Sequence, residues 1–462
     1  MAKLFSGCND FQAAIQLNRR ALLRIGAMGA GGLTLGALLR SQAVAATNVT
    51  NEKSVIILWM RGGPSQLEMW DPKPDAPLEV RGEFATIGTT IPGIRLGEHL
   101  PRSAALMHKW SIVRSMHFRA EDGLADHSSG DQICFTGYPA GRNPDQNVAP
   151  SIGSIVKKQT QLSSPDMPAY VMIPRKVPGT DAAYLGAAQQ PFETLTDPGD
   201  RANKFSVPNL NLDGGMTLDR VESRRQLVAG LDHLRREIDR SGQIEAMDAF
   251  DRQAWEIVTG PRARQAFDLD SEPSAVRERY GFPDPYTPRM RAGGDRPSWP
   301  QRLLLARRLV QAGVRIVTVD CRWWDTHEDN FWALKNGFLP PWDQAFTALI
   351  EDLDAHGLID RTMVVAWGEM GRTPRVNANA GRDHWPRVFS VAMLGGGIQG
   401  GRVVGASDSN AAEPKDNPKI SQDVLATLYR HLGINTEAQY IDHAGRPRPV
   451  LPCGTPIDEL FS

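Results

Sequence analysis

Residues 362–367, Thr-Met-Val-Val-Ala-Trp, run directly into Gly368-Glu369-Met370-Gly371-Arg372-Thr373-Pro374. An apolar, β-branched run with no polar alternation reads as a strand buried on both faces, and ionisable residues follow at its carboxyl end. Runs of the same kind occur at 55–60, 111–116, 170–173, 315–320 and 388–394. Longer amphipathic stretches at 219–240, 244–258, 301–311, 341–356 and 421–432 read as helices. Strands alternating with helices predict an α/β three-layer sandwich, a mainly parallel sheet covered on both faces.

Such sheets place chemistry in the loops beyond the carboxyl ends of their strands. After Met60 comes Arg61-Gly62-Gly63-Pro64-Ser65, and after Met116 comes His117, then Asp126-His127-Ser128-Ser129-Gly130-Asp131. After Val319 come Asp320, Asp325 and His327; after Trp367 come Glu369 and Arg372, then Gly381-Arg382-Asp383-His384-Trp385. Carboxylates and imidazoles released from adjacent strand ends can converge on a divalent cation, Zn, Ca, Mg or Mn. Asp325, His327, Glu369 and His384 are the expected ligands. The same residues also suit structural work: Asp325 capping a helix, His327 bonding backbone, Glu369 pairing with Arg372.

His127 is the expected acid or base, and Arg61 or Arg372 the clamp on an anion. The small residues beside His127 suit an activated hydroxyl or a helix start that receives an anion on its backbone N–H groups, and Ser128 or Ser129 equally suits an ordinary helix N-cap. Gly62 and Gly63 permit close backbone approach to a ligand, or a tight turn. Gly395-Gly396-Gly397-Ile398-Gln399-Gly400-Gly401 lacks the spacing of a dinucleotide fingerprint and reads as a turn. Trp70, Trp323, Trp324, Trp332, Trp342 and Trp385 lie near these loops, where some could stack on a sugar ring and core packing accounts for most.

The chain has 462 residues, 41% hydrophobic and 23% charged, enough to bury a large core. Basic and acidic residues number 52 and 53, so no basic excess points to nucleic acid. Cys134, Cys321 and Cys453 are too scattered for a metal-ligand spacing or a disulfide framework.

Asn18-Arg19-Arg20-Ala21-Leu22-Leu23-Arg24 precedes an uncharged run over 25–39, and Ala43-Val44-Ala45 offers a cleavage site. This pattern predicts a twin-arginine signal peptide over 1–45, export to the periplasm or beyond, and passage through the twin-arginine translocation machinery. The run is shorter than the ~18–20 apolar residues a spanning helix needs, so no stable membrane span is expected. The remainder, 46–462, reads as one domain with a mostly helical insertion over 197–300.

Residues 367–374 and 381–386, together with the export signal, resemble the domain of unknown function 1501 family, placed in the alkaline-phosphatase-like superfamily with sulfatases and phosphoesterases. The resemblance implies an alkaline-phosphatase-like fold and, with it, a metal-dependent site for phosphate or sulfate esters. Position by position the match is partial. Where sulfatases carry metal-binding Asp residues after the first strand, this chain reads Arg61-Gly62-Gly63. Matching the end of their nucleophile segment to Phe135-Thr136-Gly137 puts His127 at the nucleophile position. A later Asp-His pair becomes Glu369-Met370, and the final His is matched by His384. The expectation is an exported metal-dependent hydrolase of sulfate or phosphate esters, acting on a small-molecule or polysaccharide anion, with an atypical nucleophile. The alternative is a non-catalytic protein on the same scaffold that binds an anionic polysaccharide or a partner protein.

Overall fold

The runs predicted as strands form strands within a residue of the expected ends. In the computed structural model, which describes residues 52–123, 126–160, 166–200, 203–208, 210, 260–282 and 298–462, they are joined by two short additions. β1 (Ser54–Trp59), β2 (Trp110–Met116), β3 (Tyr170–Ile173), β4 (Phe192–Glu193), β5 (Ile316–Asp320), β6 (Thr362–Trp367), β7 (Phe389–Leu394) and β8 (Val403–Val404) make an eight-stranded sheet. Its order is β8-β2-β7-β6-β1-β5-β3-β4.

β1 lies between β5 and β6, parallel to both, with Trp59 in register with Asp320 on one side and Trp367 on the other. The chain therefore leaves three neighbouring strands at one edge and at one height. β7 runs antiparallel to β6 and β2, whereas β3 pairs in parallel with β5 and β4, and β8 with β2. This reversal puts the start of β7, not its end, at the edge where β1, β5 and β6 finish. The glycine-rich segment after β7 consequently turns at the opposite edge. A Cβ on Gly395 (φ +69°) would sit 2.1 Å from the carbonyl oxygen of Thr362, the first residue of β6. The segment is a turn.

Helices α1 (His127–Thr136), α2 (Ile152–Gln159), α3 (Pro261–Phe267), α4 (Ser274–Tyr280), α5 (Trp299–Gln311), α6 (Leu339–Ala355) and α7 (Ser421–Leu432) cover the sheet. Every residue of β1 is buried, and successive side chains alternate between two cores. Ile56 and Leu58 join the core beneath α3 to α6, while Val55, Ile57 and Trp59 join the one beneath α1, α2 and α7. Burial on both sides is why these strands read as continuous apolar runs.

α3 and α4 lie in the predicted insertion and pack on α5 and α6. The helices expected at 219–240 and 244–258 lie outside the described residues, as does the signal segment. No helix among the described residues is long and apolar enough to cross a membrane.

Candidate metal centre

Where β1 ends, Gly62 adopts φ +110°, and a Cβ there would sit 2.5 Å from the backbone nitrogen of Asp325. Only glycine admits this approach. The glycines therefore let backbone meet backbone rather than meet a ligand, which corrects the ligand-cradle reading of this segment. Trp324 donates its N–H to the Arg61 carbonyl at 3.1 Å, and its indole stacks on Trp299 in the core. The loop after β5 is thus pinned across the end of β1, with Asp325 next in line.

Beyond β6, Glu369 is fully buried, and its Oε1 accepts the Gly62 N–H at 2.8 Å. The chain then forms a short antiparallel ribbon, Gly371–Arg372 with His384–Trp385, in which His384 pairs with Arg372. Asp383 precedes His384, and Arg382 is locked in a fully buried ion pair with Glu68 at 2.6 Å. That pair anchors the segment carrying His384.

Arg372 is also fully buried. Its Nη2 lies 2.5 Å from Asp325 Oδ1, its Nε donates to the Gly63 carbonyl at 2.9 Å, and its Nη1 to the Arg382 carbonyl at 3.2 Å. A guanidinium so occupied cannot also clamp an anion. The anion-binding role expected of Arg372 is replaced by that of holding Asp325. Glu369, which had been weighed as the partner of Arg372, faces His127 instead.

His127 is the first residue of α1. Asp126 caps that helix by accepting the Ser129 N–H at 2.8 Å, so the cap is the aspartate rather than Ser128 or Ser129. His127 Nδ1 is 2.5 Å from Glu369 Oε1, and Nε2 is 3.3 Å from Asp325 Oδ2. Asp325 Oδ1 lies 2.9 Å from His327 Nε2 and 3.2 Å from His384 Nε2, and those two nitrogens are 3.1 Å apart. His327 Nδ1 in turn meets Asp383 Oδ1 at 2.7 Å.

Asp325 is thus the hub, with one carboxylate oxygen toward His127 and the other toward His327 and His384. One ligand atom each from His127, Asp325 and His384 lies within 4.8 Å of the other two, a group able to hold a metal ion. Bonds of ~2.0–2.2 Å to a tetrahedral Zn²⁺ set ligand atoms about 3.3 Å apart, close to the spacings around Asp325. Glu369 Oε2, behind His127, is buried and without a hydrogen-bond partner among the described residues. Of the expected ligands, then, Asp325 and His384 share the group and His127 joins them. His327 Nε2 lies at a similar spacing, 2.9 Å from Asp325 Oδ1 and 3.1 Å from His384 Nε2, and Glu369 backs His127.

Electrostatics follow from this packing. Burial disfavours a charged His127, but hydrogen bonds with Asp325 and Glu369 outweigh it and push the imidazole up to about 9. Burial also acts against ionised Asp325, yet His127, His384 and Arg372 together hold it well below the usual carboxylate range.

Asp131 carried no assigned role in the sequence reading. It is fully buried on α1 one turn beyond His127, accepting from Trp59 Nε1 at 2.9 Å and Arg61 Nε at 2.7 Å. The i,i+4 spacing of His127 and Asp131 was the available signal. Arg61 keeps about a fifth of its side chain exposed and extends Nη2 toward Ser128 Oγ at 3.3 Å.

The profile of a family described as Protein of unknown function (DUF1501) matches residues 52–461. The chain belongs to this family. Among solved structures, the DUF1501 chain is similar to a phosphonate monoester hydrolase from Silicibacter pomeroyi, at 12% identity over 89% of this chain and 76% of that one, TM-score 0.35. It is similar to the PsFucS1 sulfatase from Pseudoalteromonas sp. at 12% identity over 92% and 76%, TM-score 0.38. A phosphonate monoester hydrolase of Agrobacterium radiobacter matches at 13% identity over 89% and 77%, TM-score 0.33. No curated protein matches.

Proposed function

We propose that this DUF1501 protein is an exported, metal-dependent hydrolase of sulfate or phosphate esters. The observation that supports it most is the meeting of His127, Asp325 and His384. They come from the start of α1, the loop after β5 and the ribbon before β7, three segments distant in the chain that meet at one edge of the sheet.

The donor set suits Zn²⁺ or Mn²⁺ better than Ca²⁺ or Mg²⁺, which prefer all-oxygen shells. When bound, such an ion supplies Lewis acidity and an activated water. Asp325 and His384 hold it with His127, whose Nδ1 is braced by Glu369 as ligating imidazoles usually are by a carboxylate. His327, braced by Asp383 and about one-third exposed, takes the acid–base role first expected of His127. Arg61, held by Asp131 and partly exposed, faces the ester anion. The role of Arg372 is to position Asp325.

The assignment of residues 1–45 as a twin-arginine signal belongs to this proposal. The test is elemental analysis of the purified protein together with turnover of aryl sulfate and aryl phosphate esters. Metal near one equivalent and turnover abolished by His384→Ala support the reading; a metal-free wild type inert toward both esters overturns it. A second reading, a non-catalytic anion-binding protein on the same scaffold, draws on the presence of His127 where the resemblance places a nucleophile. Metal and anion binding without turnover would favour it.

A further inference from the structure

Beyond the carboxyl ends of β3 and β5 lies a cavity of about 600 Å³, within the ~300–1,000 Å³ range of small-molecule sites. The loop after β5 contributes to both this cavity and the candidate metal centre. Trp323 lines the cavity, and Asp325 follows two residues later. Trp323 is one of the tryptophans for which the sequence left open both sugar stacking and core packing.

The lining carries three guanidiniums, Arg175, Arg302 and Arg322, and three carboxylates, Asp197, Asp200 and Asp320. Most are matched with one another. Arg302 Nε and Nη2 lie 2.9 and 2.5 Å from the two oxygens of Asp197, and Arg322 Nε lies 2.5 Å from Asp320 Oδ2. The cavity therefore offers no net charge to an ionic ligand, and an anion entering it would face Asp320 beside Arg322. It does offer donors and acceptors in alternation. Among the described residues the terminal nitrogens of Arg322 have no hydrogen-bond partner, and those of Arg175 have none either.

Hydroxyl groups both donate and accept, so a polyol satisfies such a lining where a sulfate, an ammonium or an alkyl chain does not. Trp323 supplies the complementary surface, a flat indole that can take the C–H face of a sugar ring. Its orientation is set by Arg322, whose guanidinium lies 5.2 Å from the ring centroid. The backbone carrying Arg322 is fixed in turn by the Trp299 Nε1–H, which donates to the Arg322 carbonyl at 2.9 Å.

We infer that this cavity binds an uncharged saccharide unit and, next to the metal centre, holds the sugar portion of an esterified glycan. The binding stands on the cavity alone, and only its link to chemistry rests on the hydrolase reading. The experiment is a tryptophan-fluorescence titration of the full chain with uncharged hexasaccharides of glucose, galactose and mannose, repeated on Trp323→Ala, Arg175→Gln and His384→Ala. At least one probe is expected to bind the wild type, about tenfold more weakly in Trp323→Ala, more weakly in Arg175→Gln, and unchanged in His384→Ala. No binding by the wild type to any probe overturns the assignment, as does binding indifferent to both cavity variants. A wild type that turns over aryl esters but binds no saccharide overturns the cavity assignment alone; a wild type that binds a saccharide through Trp323 but is metal-free and inert toward the esters overturns the hydrolase reading alone.

Discussion

Arg372 and Asp325 form an ion pair that is fully buried on the arginine side and partly exposed on the aspartate side, with Nη2 2.5 Å from Oδ1. The guanidinium thus turns one carboxylate toward His127 on one side and toward His327 and His384 on the other.

Removing that guanidinium leaves Asp325 without its orienting charge and leaves the Gly63 and Arg382 carbonyls without a donor. Arg372→Met is expected to cost about 3 kcal/mol in urea unfolding and to weaken Zn²⁺ binding about 10–100-fold by calorimetry. Arg372→Lys should not restore either, because an ammonium cannot reproduce a planar fork with several partners.

His384→Ala and Asp325→Asn are each expected to abolish stoichiometric metal, read by elemental analysis after dialysis. Glu369→Gln should retain the metal but bind it about 10–100-fold more weakly, since it removes the negative charge that braces His127 Nδ1. Equal affinity in Glu369→Gln and wild type would show that the Glu369 charge does not tune His127 as a ligand.

Glu68 and Arg382 are both inaccessible to solvent. Breaking such a pair strands a charge in the interior, so Glu68→Gln is expected to destabilise the fold by about 3–5 kcal/mol. A shift in the urea midpoint at constant slope would verify it. His384 should lose its place as well, so metal affinity should fall in the same variant.

Gly62→Ala tests the crossing of the β5 loop over β1. A side chain at φ +110° is strained, and its Cβ would overlap Asp325 N and Trp324 N at 2.5 and 2.6 Å. Neither contact is a flexible side-chain end. The variant is expected to lose more than about 2 kcal/mol in thermal or urea unfolding and to lose metal binding.

His431 gives a pH prediction away from the metal centre. It is buried, with Nε2 against the carbonyls of Ser54 and Arg361 at 3.0 and 3.1 Å, and burial pulls it down to about 4. In the unfolded chain it titrates near 6.5, so between pH 6.5 and 4 the unfolded state binds the extra proton. Stability contributed by neutral His431 is therefore complete above pH 6.5 and is lost as pH falls toward 4, by about 3 kcal/mol. The melting temperature should drop more steeply over that window in wild type than in His431→Gln.

How much of this was legible beforehand differs by level. The strands 170–173 and 362–367 appear at the predicted residues because a strand buried on both faces must be apolar at each position, a local property. That ionisable groups gather where β1, β5 and β6 end was legible for the same reason. The reversed direction of β7 was not, because parallel and antiparallel pairing bury the same side chains. That reversal explains why His384 precedes a strand instead of following one. The positioning role of Arg372 and the bridging position of Asp325 were equally unreadable.

Residue order by itself determined which segments are buried, where charge is released from the sheet, and that Asp325 and His384 are available as ligands; hydrophobic periodicity and chemical type act over a few residues. Only the tertiary structure decided that His127 joins them, that Glu369 stands behind it, and that Arg372 is consumed internally. Those outcomes depend on ångström-scale distances between groups far apart in the chain, such as Arg372 and Asp325, 47 positions apart, and His127 and Glu369, 242 positions apart, and nothing in local chain chemistry specifies such distances until the sheet brings the strand ends side by side.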